Sequence, residues 1–313
     1  MQFPPPLQPG DLLRVIAPSG CLRSTTPNGK AELDAYRQGI EIWKQQGYRV
    51  EVASDCEAQW GYLAGTDTQR RQQLREAWRD PEVRAILCAR GGYGASRLLE
   101  NWNWQGGTPK WSIGFSDITA LLWNLYKQGF TSIHGPVLTS LVSEPEWSVR
   151  RLFDAVEGRS LSSLSGTGWG GGKVCGRLLP GNLTVATGLL GTAAIPSLEG
   201  TILALEDVGE APYRLDRMLT QWRMMGAFKG VLGIALGRFS SCDANPSIPS
   251  FNVEEVLRDR LGDLDIPIVA DLPFGHEGVN AALPVGILAE LDGDRGTLSI
   301  INHNHSKLQL PRT

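Results

Sequence analysis

Short apolar runs alternate with amphipathic stretches through the first half of the chain. Residues 12–17, 49–53 and 83–88 are strand-length runs, and residues 30–46 and 68–78 between them carry apolar side chains at helical spacing. Strands separated by helix-length segments read as β-α-β units, which assemble a parallel sheet covered by helices. Residues 112–114, a helix over 117–127 and a short strand over 132–134 continue the rhythm. Ligands of such sheets gather at the carboxyl ends of the strands. Pro18-Ser19-Gly20, Arg90-Gly91-Gly92-Tyr93-Gly94 and the turn at Ser116 all fall there, so three loops are expected to converge on one crevice.

A Ser/Gly-rich passage over residues 160–172 has almost no capacity to form a core and reads as an interdomain linker. Strand-like runs follow at 173–179, 201–205, 231–236, 267–270, 285–290 and 297–301, with helical stretches at 183–190, 214–225 and 253–261. The expected fold is therefore α/β in two parts. Residues 1–159 form a mostly parallel sheet flanked by helices, and residues 173–313 form a smaller mixed α/β domain, with the active site in the crevice between them. A length of 313 residues suits that division, since single cores stop growing near this size.

Composition narrows the function. With 33 acidic and 30 basic residues the net charge is −3, and no basic stripe offers itself to nucleic acid. No apolar run approaches the roughly 18 residues that span a bilayer. The start Met1-Gln2-Phe3-Pro4-Pro5-Pro6 lacks the form of a signal peptide, so a cytoplasmic protein is expected. Cys21, Cys56, Cys88, Cys175 and Cys242 are odd in number and widely spaced, which suggests reduced thiols rather than disulfides or a zinc site.

Candidate chemistry begins at residues 111–118, where a β-prone run ends at Gly114 and a helix starts beyond Ser116. A tight strand-to-helix turn lifts a hydroxyl past the sheet edge, beside helix N-terminal amides that can hold an oxyanion; the plainer role for Ser116 or Asp117 is an N-cap. A serine nucleophile needs a base and an acid to orient it. Of the four histidines, His303 and His305 read as an exposed tail, His134 either lines the crevice or caps the sheet, and His276 lies between glycines directly after a strand. For the acid, Glu206 is first past an apolar strand, with Asp207 and Glu210 as alternatives. The Arg90–Gly94 loop lacks a full nucleotide-binding glycine pattern, and its amides, with that of Asp117, suit an oxyanion instead.

Seven blocks in order resemble the LD-carboxypeptidases, the serine peptidase family that also contains the microcin C self-immunity peptidases. They are Ala17-Pro18-Ser19-Gly20, Arg90-Gly91-Gly92-Tyr93-Gly94, Gly114-Phe115-Ser116-Asp117, His134-Gly135-Pro136, Gly181-Asn182-Leu183, Leu205-Glu206-Asp207 with Tyr213-Arg214-Asp216-Arg217, and Phe274-Gly275-His276. The resemblance runs from about residue 12 to residue 286.

It implies Ser116 as nucleophile, His276 as base and Glu206 as orienting acid, with Gly91, Gly92, Tyr93, Asp117 and Arg90 around the oxyanion and substrate. It also implies no metal or cofactor, a cytoplasmic homodimer, and removal of D-alanine from murein tetrapeptides at the L-centre of diaminopimelate during cell-wall recycling. Arg90, Arg214 and Arg217 are candidates for the substrate carboxylate. A self-immunity peptidase cutting an aminoacyl nucleotide, with Trp169 or another tryptophan against the base, and a muropeptide binder without catalysis are the alternatives. Two departures stand out: Pro180 precedes Gly181 where the family often has glycine, and Ile118 replaces the last glycine of the common hydrolase Gly-x-Ser-x-Gly turn.

Overall fold

Strand β1 (Leu12–Ile16) is apolar and buried except at the partly exposed Arg14, as suits a central parallel strand. The structure, a computed structural model, describes residues 1–22, 27–244, 247 and 249–301, with only the backbone described at 27–29. After β1 come α1 (Pro27–Gln45), β2 (Arg49–Val52), α2 (Asp67–Arg79), β3 (Val83–Cys88), α3 (Ala95–Leu98) and β4 (Trp111–Gly114). A 3₁₀ turn (Ser116–Ile118) leads into α4 (Thr119–Lys127), and β5 (Ser132–His134) follows. Helix α2 starts on a capping box in which Thr66 Oγ1 accepts from Gln69 N and the Gln69 side chain accepts from Thr66 N.

These strands pair in parallel in the order β5-β4-β3-β1-β2. The chain winds outward in both directions from the β1/β3 junction, and a crevice opens at the carboxyl ends of strands where such a sheet reverses. The loops after β1 and β3 meet there, with Gly20 N donating to Gly91 O at 3.2 Å.

The second half adds α5 (Leu138–Leu141), α6 (Glu146–Val156), β6 (Leu164–Ser165), β7 (Thr167–Gly168), β8 (Lys173–Asn182), α7 (Leu183–Leu189), β9 (Thr201–Val208), α8 (Pro212–Met224), β10 (Gly233–Ser240), α9 (Val253–Leu261), β11 (Ile268–Ala270), β12 (Leu283–Val285), β13 (Leu288–Asp292) and β14 (Thr297–Ile300). Its sheet runs β6-β14-β13-β8-β9-β10-β11-β7, with β8 to β11 parallel and antiparallel strands on both flanks. The result is a mixed α/β fold with two helix-flanked sheets.

Three local outcomes differ from the sequence expectation. The Ser/Gly-rich passage is not plain linker, because β6 and β7 pair with β14 and β11 at the edges of the second sheet. The run at 285–290 is two strands: Gly286 turns at φ +80° and sends β12 into the first sheet beside β5, and β13 into the second. Helix α6 had no expectation, because its buried face includes Ser148 and Arg151, which blur the apolar period. Arg151 spends its charge structurally, donating from Nε to Ala282 O at 2.9 Å.

The lobes share a core. One apolar cluster includes Leu13 and Ile86 of the first sheet, Leu121 and Trp123 of α4, Leu183 of α7, Leu219 of α8 and Leu205 of β9. At the seam Trp123 Nε1 donates to Pro180 O at 2.8 Å, and Asn182 N donates to Thr119 Oγ1 at 2.9 Å. A Cβ at Gly181 would lie 2.7 Å from Thr119 and 2.8 Å from Trp123, so this close approach requires glycine. Pro180 fits within β8 opposite Ala204 and serves as an acceptor.

Candidate active site

Ser116 occupies the turn between β4 and α4 with φ +60°, a left-handed conformation that costs a non-glycine residue on the order of 1 kcal/mol or more and is characteristic of functional turns. Two glycines make room for it. A Cβ on Gly114 would lie 2.8 Å from Ile118 Cγ2, and one on Gly91 would lie 2.9 Å from Ser116 Cβ and 3.1 Å from its Oγ. The isoleucine that replaces the common hydrolase glycine thus packs back onto the strand end. Among the described residues, neither Gly92 N–H nor Asp117 N–H meets a carbonyl in the turn and loop hydrogen bonds.

The Asp117 side chain has a role that the sequence did not reveal. Its buried carboxylate accepts from Ser19 Oγ at 2.6 Å and from Ala95 N at 2.8 Å, tying the β1 and β3 loops to the Ser116 turn. Burial raises its pKa, against the lowering effect of the Ser19 hydroxyl, the Ala95 and Gly94 amides and Arg70. Arg70, also fully buried, donates to Gly94 O at 2.9 Å and to Pro18 O and pairs with Asp67. A charged residue in α2 that reads as helix surface thus braces both loops from beneath.

The second sheet contributes Glu206 and His276. Glu206, fully buried near the end of β9, accepts from or shares a proton with His276 Nδ1 through Oε2 at 2.7 Å. Burial raises the Glu206 pKa; the hydrogen bond and charge of His276 and the nearby Asn182 side chain oppose that shift, while Asp207 adds to it. The His276 ring lies 4.7 Å from the ring of Phe115, the residue before Ser116. The Glu206–His276 pair therefore lies against the residue that precedes Ser116.

The other acids near Glu206, Asp207 in β9 and Glu210 beyond it, have separate employment. Asp207 accepts from Asn182 Nδ2 at 3.0 Å and from Thr184 N and Oγ1 at 2.9 and 2.8 Å at the start of α7, and Glu210 pairs with Arg214 at 3.4 Å. His134 is fully buried, its ring 6.0 Å from that of Phe115 and 6.2 Å from that of Phe274, with no hydrogen-bond partner on either ring nitrogen among the described residues. Burial, with His276 nearby, lowers its pKa to about 3 and keeps it neutral. It sits within the sheet rather than lining the crevice. His303 and His305 lie outside the described residues.

Arg90 is already engaged, paired with Glu32 at 2.7 Å and donating to Cys21 O at 2.8 Å. Its loop nevertheless borders a cavity of about 330 Å³ lined by Gly20, Tyr62, Arg90, Gly92 and Tyr93. Arg214 and Arg217 both lie near the Tyr213 ring, 5.9 and 5.4 Å from its centroid. Trp169 lies against a different cavity of about 420 Å³, which also includes Arg238, Asp271 and Glu277, and one of its faces is covered by the Arg258 guanidinium at 4.3 Å.

Comparison with known proteins agrees with this architecture. The family profile described as LD-carboxypeptidase N-terminal domain matches residues 13–135, and that described as LD-carboxypeptidase C-terminal domain matches residues 175–291. The chain is 56% identical to a Synechocystis sp. protein provisionally named a carboxypeptidase, covering 95% of this chain and 97% of that one. It is 34% identical to the murein tetrapeptide carboxypeptidase of Pseudomonas aeruginosa, covering 90% and 93%. Among solved structures, the muramoyltetrapeptide carboxypeptidase of Oxalobacter formigenes superposes with a TM-score of 0.78 at 29% identity, covering 92% and 97%. The microcin immunity protein MccF in complex with glutamyl sulfamoyl guanosine superposes with a TM-score of 0.82 at 23% identity, covering 95% and 97%, which is a likeness of fold. Among the described residues no helix is long and apolar enough to cross a membrane.

Proposed function

Because this chain belongs to the LD-carboxypeptidase family, we propose that it is a serine carboxypeptidase that hydrolyses the amide between the L-centre of diaminopimelate, or an equivalent third residue, and the terminal D-alanine of murein tetrapeptides. The observation that carries the reading is the buried Glu206–His276 pair, at 2.7 Å, set against the residue before Ser116. A buried carboxylate on one imidazole nitrogen fixes the tautomer and leaves the other nitrogen to act as a base.

In this mechanism His276 takes the Ser116 proton as the hydroxyl attacks the scissile carbonyl, and Glu206 stabilises the imidazolium. The Gly92 and Asp117 amides receive the oxyanion. His276 then protonates the leaving amine of D-alanine, and water, activated by the same imidazole, releases the shortened peptide from Ser116. Tyr93 and Arg90 line the cavity beside this loop, and Gly91 packs against Ser116. The reading divides the chain into a nucleophile-bearing part to residue 159 and a part from residue 173 that supplies Glu206 and His276. It assigns the enzyme to cytoplasmic peptidoglycan recycling as a homodimer.

Mass spectrometry of the purified protein with murein tetrapeptide tests the proposal: loss of one alanine is expected, with covalent labelling of Ser116 by a serine-reactive phosphonate. Cleavage of an aminoacyl sulfamoyl nucleotide in preference to the tetrapeptide would overturn the substrate assignment, and undiminished turnover by Ser116→Ala would overturn the mechanism.

A further inference from the structure

Among the described residues the fold buries two arginines, Arg70 and Arg151, and treats them differently. Arg70 pairs with Asp67. Arg151 of α6 is only 5% exposed, yet among the described residues it joins no ion pair: Nε donates to Ala282 O at 2.9 Å, Nη1 donates to Ser162 O at 2.6 Å, and Nη2 has no partner. Neutral carbonyls satisfy N–H groups but do not cancel a charge, and a buried charge without a counter-charge is costly. Burial pulls the Arg151 pKa down to about 10, against the opposite pull of Asp154, so the guanidinium stays charged at neutral pH. The same side chain lines a cavity of about 550 Å³ between α6 and residues 160–165. Its wall is rich in donors. Arg150 stands beside Arg151, Ser162 and Ser165 face them from the other segment, and the acid in the wall, Asp154, is paired with Arg159.

We propose that this cavity binds the phosphate group of a small phosphate ester, with Arg150 and Arg151 as its cationic contacts. Adjacent guanidiniums with hydroxyls opposite suit a tetrahedral dianion, whose oxygens each accept more than one hydrogen bond. The volume is larger than one phosphate needs and falls in the range of small-molecule pockets. Trp147, in the same wall and 46% exposed, offers an apolar face to the organic part of the ester. The cavity also borders the footing of the loop that carries His276. Pro273 lines it, Arg151 holds Ala282 O, and Ser148 of α6 donates to Asn280 O at 3.3 Å. An occupant thus rests against both ends of that loop, apart from the cavity beside the Ser116 turn.

Isothermal titration calorimetry of the full-length protein with glucose 6-phosphate and with inorganic phosphate tests the site. Saturable heat is expected from both, with the sugar ester tighter by about tenfold. Trp147→Ala should narrow that gap. Arg150→Gln, at an exposed position, should weaken the ester by about tenfold without changing the melting temperature of the ligand-free protein, and Asp154→Asn should tighten it. Arg151→Met removes the buried charge while keeping an apolar stem, so it should abolish the heat and leave the ligand-free protein at least as stable. Inorganic phosphate binding as tightly as the ester, or tighter, would overturn the ester assignment. No saturable heat from the wild type at about 10 mM of either probe, or equal affinity in the wild type and Arg150→Gln, would overturn the site itself.

Discussion

The two lobes build their halves of the seam by different means. On the first, geometry is fixed by backbone: a left-handed Ser116, two glycines that leave no space for a Cβ, and amides oriented by loops that Asp117 and Arg70 tie from below. On the second, it is fixed by side chains: a strand end presents Glu206, and one hydrogen bond orients His276. The first half should therefore be sensitive to added volume, and the second to loss of a functional group.

The largest effect should come from removing the proposed nucleophile. Ser116→Ala is expected to lower kcat for D-alanine release by about three to six powers of ten with the melting temperature nearly unchanged. On the other lobe, Glu206→Gln keeps shape but loses the charge that stabilises the imidazolium, and should cost about three powers of ten in kcat. A loss of tenfold or less would mean that His276 needs no orienting acid, and the contrast between the lobes would fail.

Gly91→Ala probes the backbone side, because its added methyl must displace Ser116. A fall in kcat of about ten- to a hundredfold is expected with little change in KM; normal turnover would show that the turn has slack the geometry does not suggest. Asp117→Ala separates scaffold from chemistry. It strands the buried Ser19 hydroxyl and Ala95 amide, so urea denaturation should show a loss of roughly 2–4 kcal/mol.

The smallest effect concerns His134, which lies where the lobes meet. Its folded pKa of about 3 is below its ordinary value of 6.5, so the unfolded chain binds the extra proton as pH falls. Its contribution to stability is complete above about pH 6.5 and declines from there toward pH 3, by at most about 1.4 kcal/mol per pH unit. Denaturation of His134→Phe between pH 7 and pH 5 should show a shallower acid slope than the wild type; identical slopes would mean that the imidazole is solvated.

Much of this was legible in the chain, because periodicity reports burial directly. The alternation of strands and helices from β1 to β5 is read from apolar spacing, and the strand-to-helix turn at Ser116 follows from where that spacing changes. The Ser116, Glu206 and His276 candidates stood out as reactive residue types near strand ends, although β9 runs on through Glu206 to Val208, beyond where the apolar run stops. Elements escaped where polar residues do structural work or where glycine breaks one run into two, as in α6 and at the β12/β13 division. Asp117 and Arg70 escaped because a buried charge is recognisable only once its partners are known.

The sequence by itself determined the residue types, their order and the ends of the strands on which they lie, since these depend on local spacing along one chain. The tertiary structure alone decided which of Glu206, Asp207 and Glu210 faces an imidazole and that Arg90 is occupied by Glu32. Those outcomes depend on contacts between residues tens of positions apart, which are fixed by strand order and core packing and leave no periodic trace in the sequence.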